Sequence, residues 1–563
     1  MRKTVLVIFS CFLSLLFVPK TYGQGQDKLL GLLKEELAQQ MKELKGEEFP
    51  PYHMNYRVID VTSSVVSASF GALMNSQQYR SRTLVPQIRL GDEKLDNFRF
   101  NQMGSAMSRF QGPSMARLPL DEENNEDAVR QAIWDEVNNR YKFAVDMYQK
   151  TKAESSVNVE EEDKAPYFSE AKVEKYYEAP LPAEKMTIDM DRWAARMKEI
   201  SAVFKNQPGI MKGDAIMIYT VERRYFVNNE GTEVVQNLPY ARIMVFGETK
   251  ADDGMELPLN LSYFAYDPAD LPANDKIIAD AKEMVKTLEA LRVAPVVDPY
   301  TGPALLSGPA SGVFFHEIFG HRIEGQRMKS ENDGQTFKKM VGQLVLPADM
   351  HVYDDPTLRK YAGEDLNGFY KYDDQGVKAE RVDVVVNGKL NDFLMTRTPI
   401  DGHPRTNGHA RASDGFDPVS RQSNLVIETS NPKTPEELRQ LLIEEVKKQG
   451  KEYGYFFKEV TSGFTFTGKG ATNSFNVTPL EVYKVFADGR PDQLVRGVDL
   501  IGTPLSIIYA GNDARVFTGM CGAESGSIPV TAISPTILVN KVETQRKAKS
   551  QDILPILPAP GTK

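Results

Sequence analysis

The chain's 563 residues exceed what one hydrophobic core usually supports, so two or three domains are expected. An apolar content of 41% with 26% charged residues is ordinary for a globular protein and supports a sizeable core. A net charge of −9 argues against a general nucleic-acid binder, whose phosphate-facing surface must be basic.

The N-terminus has the three parts of a secretory signal. Arg2 and Lys3 open it, residues 4–18 are almost wholly apolar, and Gly23 precedes Gln24 at a plausible cleavage point. Residues 1–23 are therefore read as a signal peptide, and the protein as exported to the periplasm or the exterior. No other apolar run approaches the roughly 20 residues of a spanning helix, so no membrane span is expected after cleavage. Of two cysteines, Cys11 falls within the signal and Cys521 remains. A single thiol makes no internal disulfide; it is a core residue, an intermolecular partner, a ligand or a nucleophile.

Helical spacing of Leu29, Leu30, Leu33, Leu37, Met41 and Leu44 predicts a first helix over 27–45. Three strands follow at 56–60, 64–70 and 83–90, broken by Gly71 and by Gly91-Asp92. Residues 121–151 form a charged helix, and the acidic stretch 154–166 reads as a solvated linker. Further helices are expected at 186–204 and 277–291, with strands at 211–227 and 242–248 between them. Four prolines and two glycines in 295–309 place a domain boundary near Tyr300. Beyond it, Asn387-Gly388 suits a type I′ hairpin turn within 381–394. A helix covers 434–449, and strands return at 480–486, 493–498 and 506–509. Residues 546–563 form a proline-rich tail. Strands in locally connected runs, without βαβ alternation, predict an α+β fold with mainly antiparallel sheets and flanking helices. The expected division is a mixed N-terminal domain over 24–299 and a β-rich, metal-binding C-terminal domain over 300–545.

The chemistry concentrates in Ser311-Gly-Val-Phe-Phe-His316-Glu317-Ile-Phe-Gly320-His321-Arg-Ile-Glu324-Gly325. An apolar run carries imidazoles and carboxylates into a buried element, which is costly unless they pair with one another or with a metal. A zinc hydrolase needs imidazole ligands, an open position for water and a carboxylate base, and His316-Glu317 supplies the first ligand and the base in that order. The second histidine arrives at i+5. On a regular helix the two rings would stand about 140° apart, since each residue turns about 100°. The helix must therefore bulge or break near Gly320 for both to share a metal. For a third ligand, Cys521 in a glycine-flanked loop and Glu324 compete; Glu324 could instead orient a histidine. Residues 406–411 suggest a peptide groove in which Arg405, Asn407 or Arg411 meets a carboxylate or carbonyl.

These motifs, with Tyr300-Thr-Gly-Pro, Tyr372-Asp-Asp-Gln-Gly376, Thr406-Asn-Gly-His-Ala-Arg411 and Gly519-Met-Cys521-Gly, make the chain resemble the TldD/PmbA metalloproteases from about Tyr300 to Val542. The resemblance implies a divalent metal, Zn2+ with Fe2+ as the alternative, on His316, His321 and Cys521, and Glu317 as general base. It also implies hydrolysis of small or unfolded peptides by a homodimer, or by a heterodimer with a related subunit. Two rival readings stand beside it: a binding or partner subunit with a structural metal, and a hydrolase with Cys521 as nucleophile. Ala523-Glu524-Ser525 departs from the family's usual Lys-x-Gly-like stretch.

Overall fold

The computed structural model describes residues 27–98, 115–122, 124–155, 163–329, 334–465, 475–501, 506–522 and 524–547. The signal segment, residues 156–162 of the acidic stretch and the tail from 548 lie outside them. The fold is α+β, with mainly antiparallel sheets and flanking helices.

The first helix, Lys28–Leu44, starts where its sequence says it should. The Asp27 side chain accepts from the Leu30 amide at 3.1 Å, and Leu29, Leu30, Leu33 and Leu37 are buried. The strands after it differ from expectation. Instead of three short strands there are two long ones, Pro51–Ser69 and Ala72–Asp92, paired along their length about a Phe70-Gly71 turn with positive φ at both residues. The second strand is exposed and largely polar over 76–80, so its sequence there has no apolar alternation to read. The first also pairs with Ile210–Asn228, which pairs with Glu233–Lys250, within an eight-stranded sheet.

Alternation on the first long strand shows what each face does. Met54, Tyr56, Val58, Val66 and Ala68 point into two apolar cores formed with the N-terminal helices. The intervening His53, Asn55 and Arg57 are buried too, on the other face. There Arg57 donates to the Ala412 carbonyl at 2.9 Å, and Gln236 to that of Tyr372 at 2.8 Å. One face of the sheet is thus apolar and helix-covered, while the other docks on the C-terminal half through polar groups. Asp163, expected in a solvated linker, is buried beside Lys329 at 3.6 Å, because the chain after the acidic stretch is strapped to the C-terminal half.

A large core running from Val297 to Val542 occupies that half, with smaller apolar clusters beside it. A six-stranded sheet ends in the neighbours Asn424–Thr429, Ile528–Ser534 and Arg515–Cys521, so the last is an edge strand. A seven-stranded sheet includes Tyr300–Leu306 and Tyr453–Thr465. Asn387 and Gly388 take the positive φ values, 51° and 74°, that their turn requires. The helix Gly308–Ile318 lies between the sheets and touches strands of both.

Small residues let it lie close. A Cβ on Gly308 would stand 2.7 Å from the Ser534 carbonyl, and one on Gly312 would stand 3.1 Å from Ala532 Cβ. Ser311 and Ser534 hydroxyls meet at 2.6 Å on the same side. His316 follows Gly312 by four residues and so leaves the helix on nearly the face that presses against this sheet. Gly312→Val should force the helix away from Ile528–Ser534 and cost roughly 1–3 kcal/mol, read as a lower urea midpoint; an unchanged midpoint would mean that the close approach is not required.

Candidate metal centre

The motif helix is anchored at its start and broken at its end. Ser307 Oγ accepts from the Ala310 amide at 3.4 Å and donates to the Lys458 carbonyl at 2.6 Å, with Pro309 in the first turn. The helix stops at Ile318. Phe319 departs to φ −107°, ψ −52°, and Gly320–Arg322 form a 3-10 turn. This break answers the spacing problem, because the His316 and His321 rings lie with centroids 4.8 Å apart at 77°. Cys521 joins them, and one ligand atom from each of the three lies within 4.8 Å of the others. The cysteine is not in a loop as expected. It is the last residue of the edge strand, paired with Ile528, and backbone pairing fixes its position.

Glu317 is buried beside them, its Oε2 3.9 Å from His321 Nε2. Burial pushes its pKa up, while His321 and His316 pull it down; burial wins. Gly463, on the Tyr453–Thr465 strand, lies against this carboxylate, and a Cβ there would collide with Glu317 Cγ and Oε1. Nothing local in the sequence marks Gly463, because its importance comes from a helix residue, Glu317, more than a hundred residues away.

Glu324 has no exposed surface. Its Oε1 meets His321 Nδ1 at 3.0 Å, and its Oε2 accepts from Arg327 Nε at 2.7 Å and Arg421 Nη1 at 2.8 Å. Burial would raise its pKa, but Arg421, His321 and Arg327 hold it down to about 2. An ionised carboxylate on Nδ1 makes that nitrogen the N–H donor and leaves Nε2 of His321 with its lone pair for a metal. With both oxygens committed, Glu324 orients a ligand and is not itself a ligand. Arg327 and Arg421 also grip Glu524, at 2.8 and 2.6 Å, closing a buried ring of two carboxylates and two guanidiniums. The same ring reaches the cysteine. Burial raises the thiol's pKa, but Arg421 and the imidazoles hold it well below the ordinary value, so it favours thiolate.

The donor set therefore fits a divalent metal. Bonds of about 2.0–2.3 Å in a tetrahedron put ligand atoms roughly 3.3–3.8 Å apart, and the 4.8 Å spread seen here exceeds that by about 1 Å. Two imidazoles and a thiolate fill three positions and leave one open. The anionic surroundings favour positive charge at His321, whose pKa rises to about 10 despite burial because of Glu324 and Cys521; a metal ion would replace that proton.

The residues predicted to meet a substrate are placed otherwise. Arg405 is exposed. Asn407 accepts from the Met395 amide at 2.7 Å and donates to the Phe393 carbonyl at 2.8 Å. Arg411 is buried over the Tyr370 ring and donates to the carbonyls of Gln422 (2.9 Å) and Pro529 (2.7 Å). Asn407 and Arg411 are thus spent on holding the fold. Arg327 and Arg421 are residues that sequence reasoning missed; the signal available was a buried Glu324 in need of a cationic partner, without any indication of which arginine.

Residues 299–546 match the PmbA/TldA metallopeptidase C-terminal domain. Over that stretch, somewhat under half of its length, the chain is similar to the TldD/PmbA family. A metalloprotease from Archaeoglobus fulgidus is 29% identical over 268 residues, covering 47% of this chain and 58% of that protein. A zinc metalloprotease TldD homolog from Saccharolobus solfataricus is 24% identical, covering 43% of this chain and 51% of its own. The matches thus span about half the length of these curated relatives. The crystal structure of TldE from Thermococcus kodakarensis shares the fold, with a TM-score of 0.59 at 15% identity over 92% of this chain and 100% of that one. No helix among the described residues is long and apolar enough to cross a membrane.

Glu324→Gln keeps the volume but removes one of the ring's two anions. It should cost roughly 3–5 kcal/mol, seen as a lower denaturation midpoint; an unshifted midpoint would show that Glu524 alone can balance both guanidiniums.

Proposed function

We propose that this chain is an exported metallopeptidase that cuts small or unfolded peptides, with Zn2+ held by His316, His321 and Cys521 and Glu317 as general base. The observation that carries this reading is the meeting of three ligand atoms within 4.8 Å beside a buried Glu317, while Glu324 is fully committed to His321 and two arginines. An open fourth position favours catalysis over a closed structural site. When bound, such an ion polarises a scissile carbonyl and acidifies water.

The chain's own residues do the rest. Glu317, with its proton affinity raised by burial, takes the proton of the attacking water and delivers it to the leaving amine. Gly463 leaves the room in which that carboxylate sits. Glu324 keeps His321 in the tautomer that presents Nε2, and Arg421 favours Cys521 as thiolate. The metalloprotease relatives support the peptidase class, and the zinc-named one supports the choice of ion. A second copy or a related subunit completes the enzyme in this reading; likeness to the TldE fold supports a family member as partner. The signal at residues 1–23 supports export.

Elemental analysis should find about one metal per chain, lost in Cys521→Ala. Glu317→Gln should keep the metal yet hydrolyse an unfolded protein such as casein at least about 100-fold more slowly. Gly463→Ala should do the same by displacing the carboxylate. Full activity in Glu317→Gln, or in metal-free protein, sinks the reading; a wild type that holds its metal yet hydrolyses nothing makes the chain a binding subunit. Separately, the N-terminus of the exported protein should be Gln24, and a secreted chain still beginning at Met1 would refute signal cleavage.

A further inference from the structure

The spacing of the two histidines has a structural cost, and two side chains answer it. In a regular helix the carbonyls of residues 316, 317 and 318 accept from the amides of residues 320, 321 and 322. Here the chain turns away. The Arg322 amide donates to Phe319 at 2.9 Å, and the Ile323 amide to Gly320 at 3.2 Å. The carbonyls left at the helix end sit in the protein interior, where a polar group needs a partner. Gln422 Nε2 donates to the His316 carbonyl at 3.2 Å. Arg322 Nη1 donates to the carbonyls of Glu317 at 3.1 Å and Ile318 at 2.6 Å.

We propose that Gln422 and Arg322 are positioning residues that make the H-E-x-x-x-H spacing usable, by capping the broken helix so that His316 and His321 can converge on one metal. This rests on the metal reading above. Three observations carry it. The carbonyl that Gln422 holds belongs to His316 itself, so the amide sets the peptide plane from which the first imidazole extends. Gln422 has no exposed surface, and its side chain lies where a Cβ of Gly320 would be, so the glycine inside the motif is what admits the cap. The backbone of Gln422 is also held from several sides. Arg411 Nη1 donates to its carbonyl at 2.9 Å, Arg421 before it belongs to the charged ring, and the Ser423 amide after it donates to Asp354 Oδ2 at 3.0 Å. The cap is thus a rigid post, and Arg411 acts by fixing that post.

Cobalt(II) is the probe, because thiolate-to-cobalt charge transfer and the d–d bands report coordination directly, apart from catalysis. Wild type should bind one Co2+ with both features. Gln422→Met removes the amide at similar volume; Gly320→Ala expels it. Each should weaken Co2+ affinity at least tenfold by chelator competition and shift the d–d bands, with the circular dichroism of the metal-free protein retained. If Gln422→Met does not fold, the half-buried Arg322 carries the test: Arg322→Met should weaken binding, and Arg322→Lys, which restores a donor, should recover part of it. Wild-type affinity and spectrum in the variants that fold overturn this inference and leave the metal reading standing. Absence of a thiolate–cobalt band in the wild type overturns both.

Discussion

Two buried carboxylates and two buried guanidiniums, alternating in sign around Glu324, Arg327, Glu524 and Arg421, hold the centre together. Removing any of these charges from water costs several kcal/mol, and the loss is recovered only if every charge meets its opposite with good geometry. The ring satisfies that condition and joins three distant stretches of chain: the motif at 316–327, the segment at 421 and the end of the cysteine strand near 524. Each stretch holds a ligand or touches one. Glu324 fixes His321, Arg421 acts on Cys521, and Gln422, next to Arg421, holds the His316 carbonyl. Moving one member would leave an unpaired interior charge, so the ligands are positioned by an all-or-none arrangement.

The sheets supply the framework on which this ring can be exact. Helix Gly308–Ile318 is pressed onto Ile528–Ser534 by glycines, and the cysteine strand is paired to that same strand. The distance between the imidazoles and the thiolate is therefore set through one shared strand, without a loop in between. The N-terminal sheet contributes no ligand to this group but closes on it from outside. Arg242 reaches the Thr518 hydroxyl on the cysteine strand at 3.4 Å, and Arg57 and Gln236 hold loops of the C-terminal half.

How much of this was legible depended on range. Features encoded within a few residues could be read: the Asp27-capped helix, the Asn387-Gly388 turn, and the need for a broken helix between His316 and His321. The long hairpin could not, because the polar exposed half of its second strand is specified by pairing with its neighbour rather than by its own pattern. Cys521 looked like a loop residue because glycines flank it, yet Gly519 lies within the strand and Gly522 just beyond it. Gly463, Arg421 and Gln422 carry no local signal at all; their roles exist only once chain segments about a hundred residues apart meet. Arg411 shows the opposite error, since a cation near a candidate groove invited a substrate role and the fold used it internally.

Glu317 and Glu324 show how one short segment obtains two different carboxylates. They lie seven residues apart and are both buried, so desolvation acts on each in the same direction. Their neighbours separate them. Glu324 faces Arg327, Arg421 and His321, and remains an anion that orients an imidazole. Glu317 has no arginine on its carboxylate, its nearest cation is an imidazole at 3.9 Å, and its affinity for a proton rises. Arg322, which lies beside it, donates to the Glu317 backbone carbonyl instead of the side chain. The break in the helix therefore has two effects: it brings the imidazoles together, and it directs a nearby guanidinium to the helix end, leaving the Glu317 carboxylate without an arginine partner. Pushing two neighbouring carboxylates apart in this way is the physical basis on which the proposed function divides them into base and orienting group.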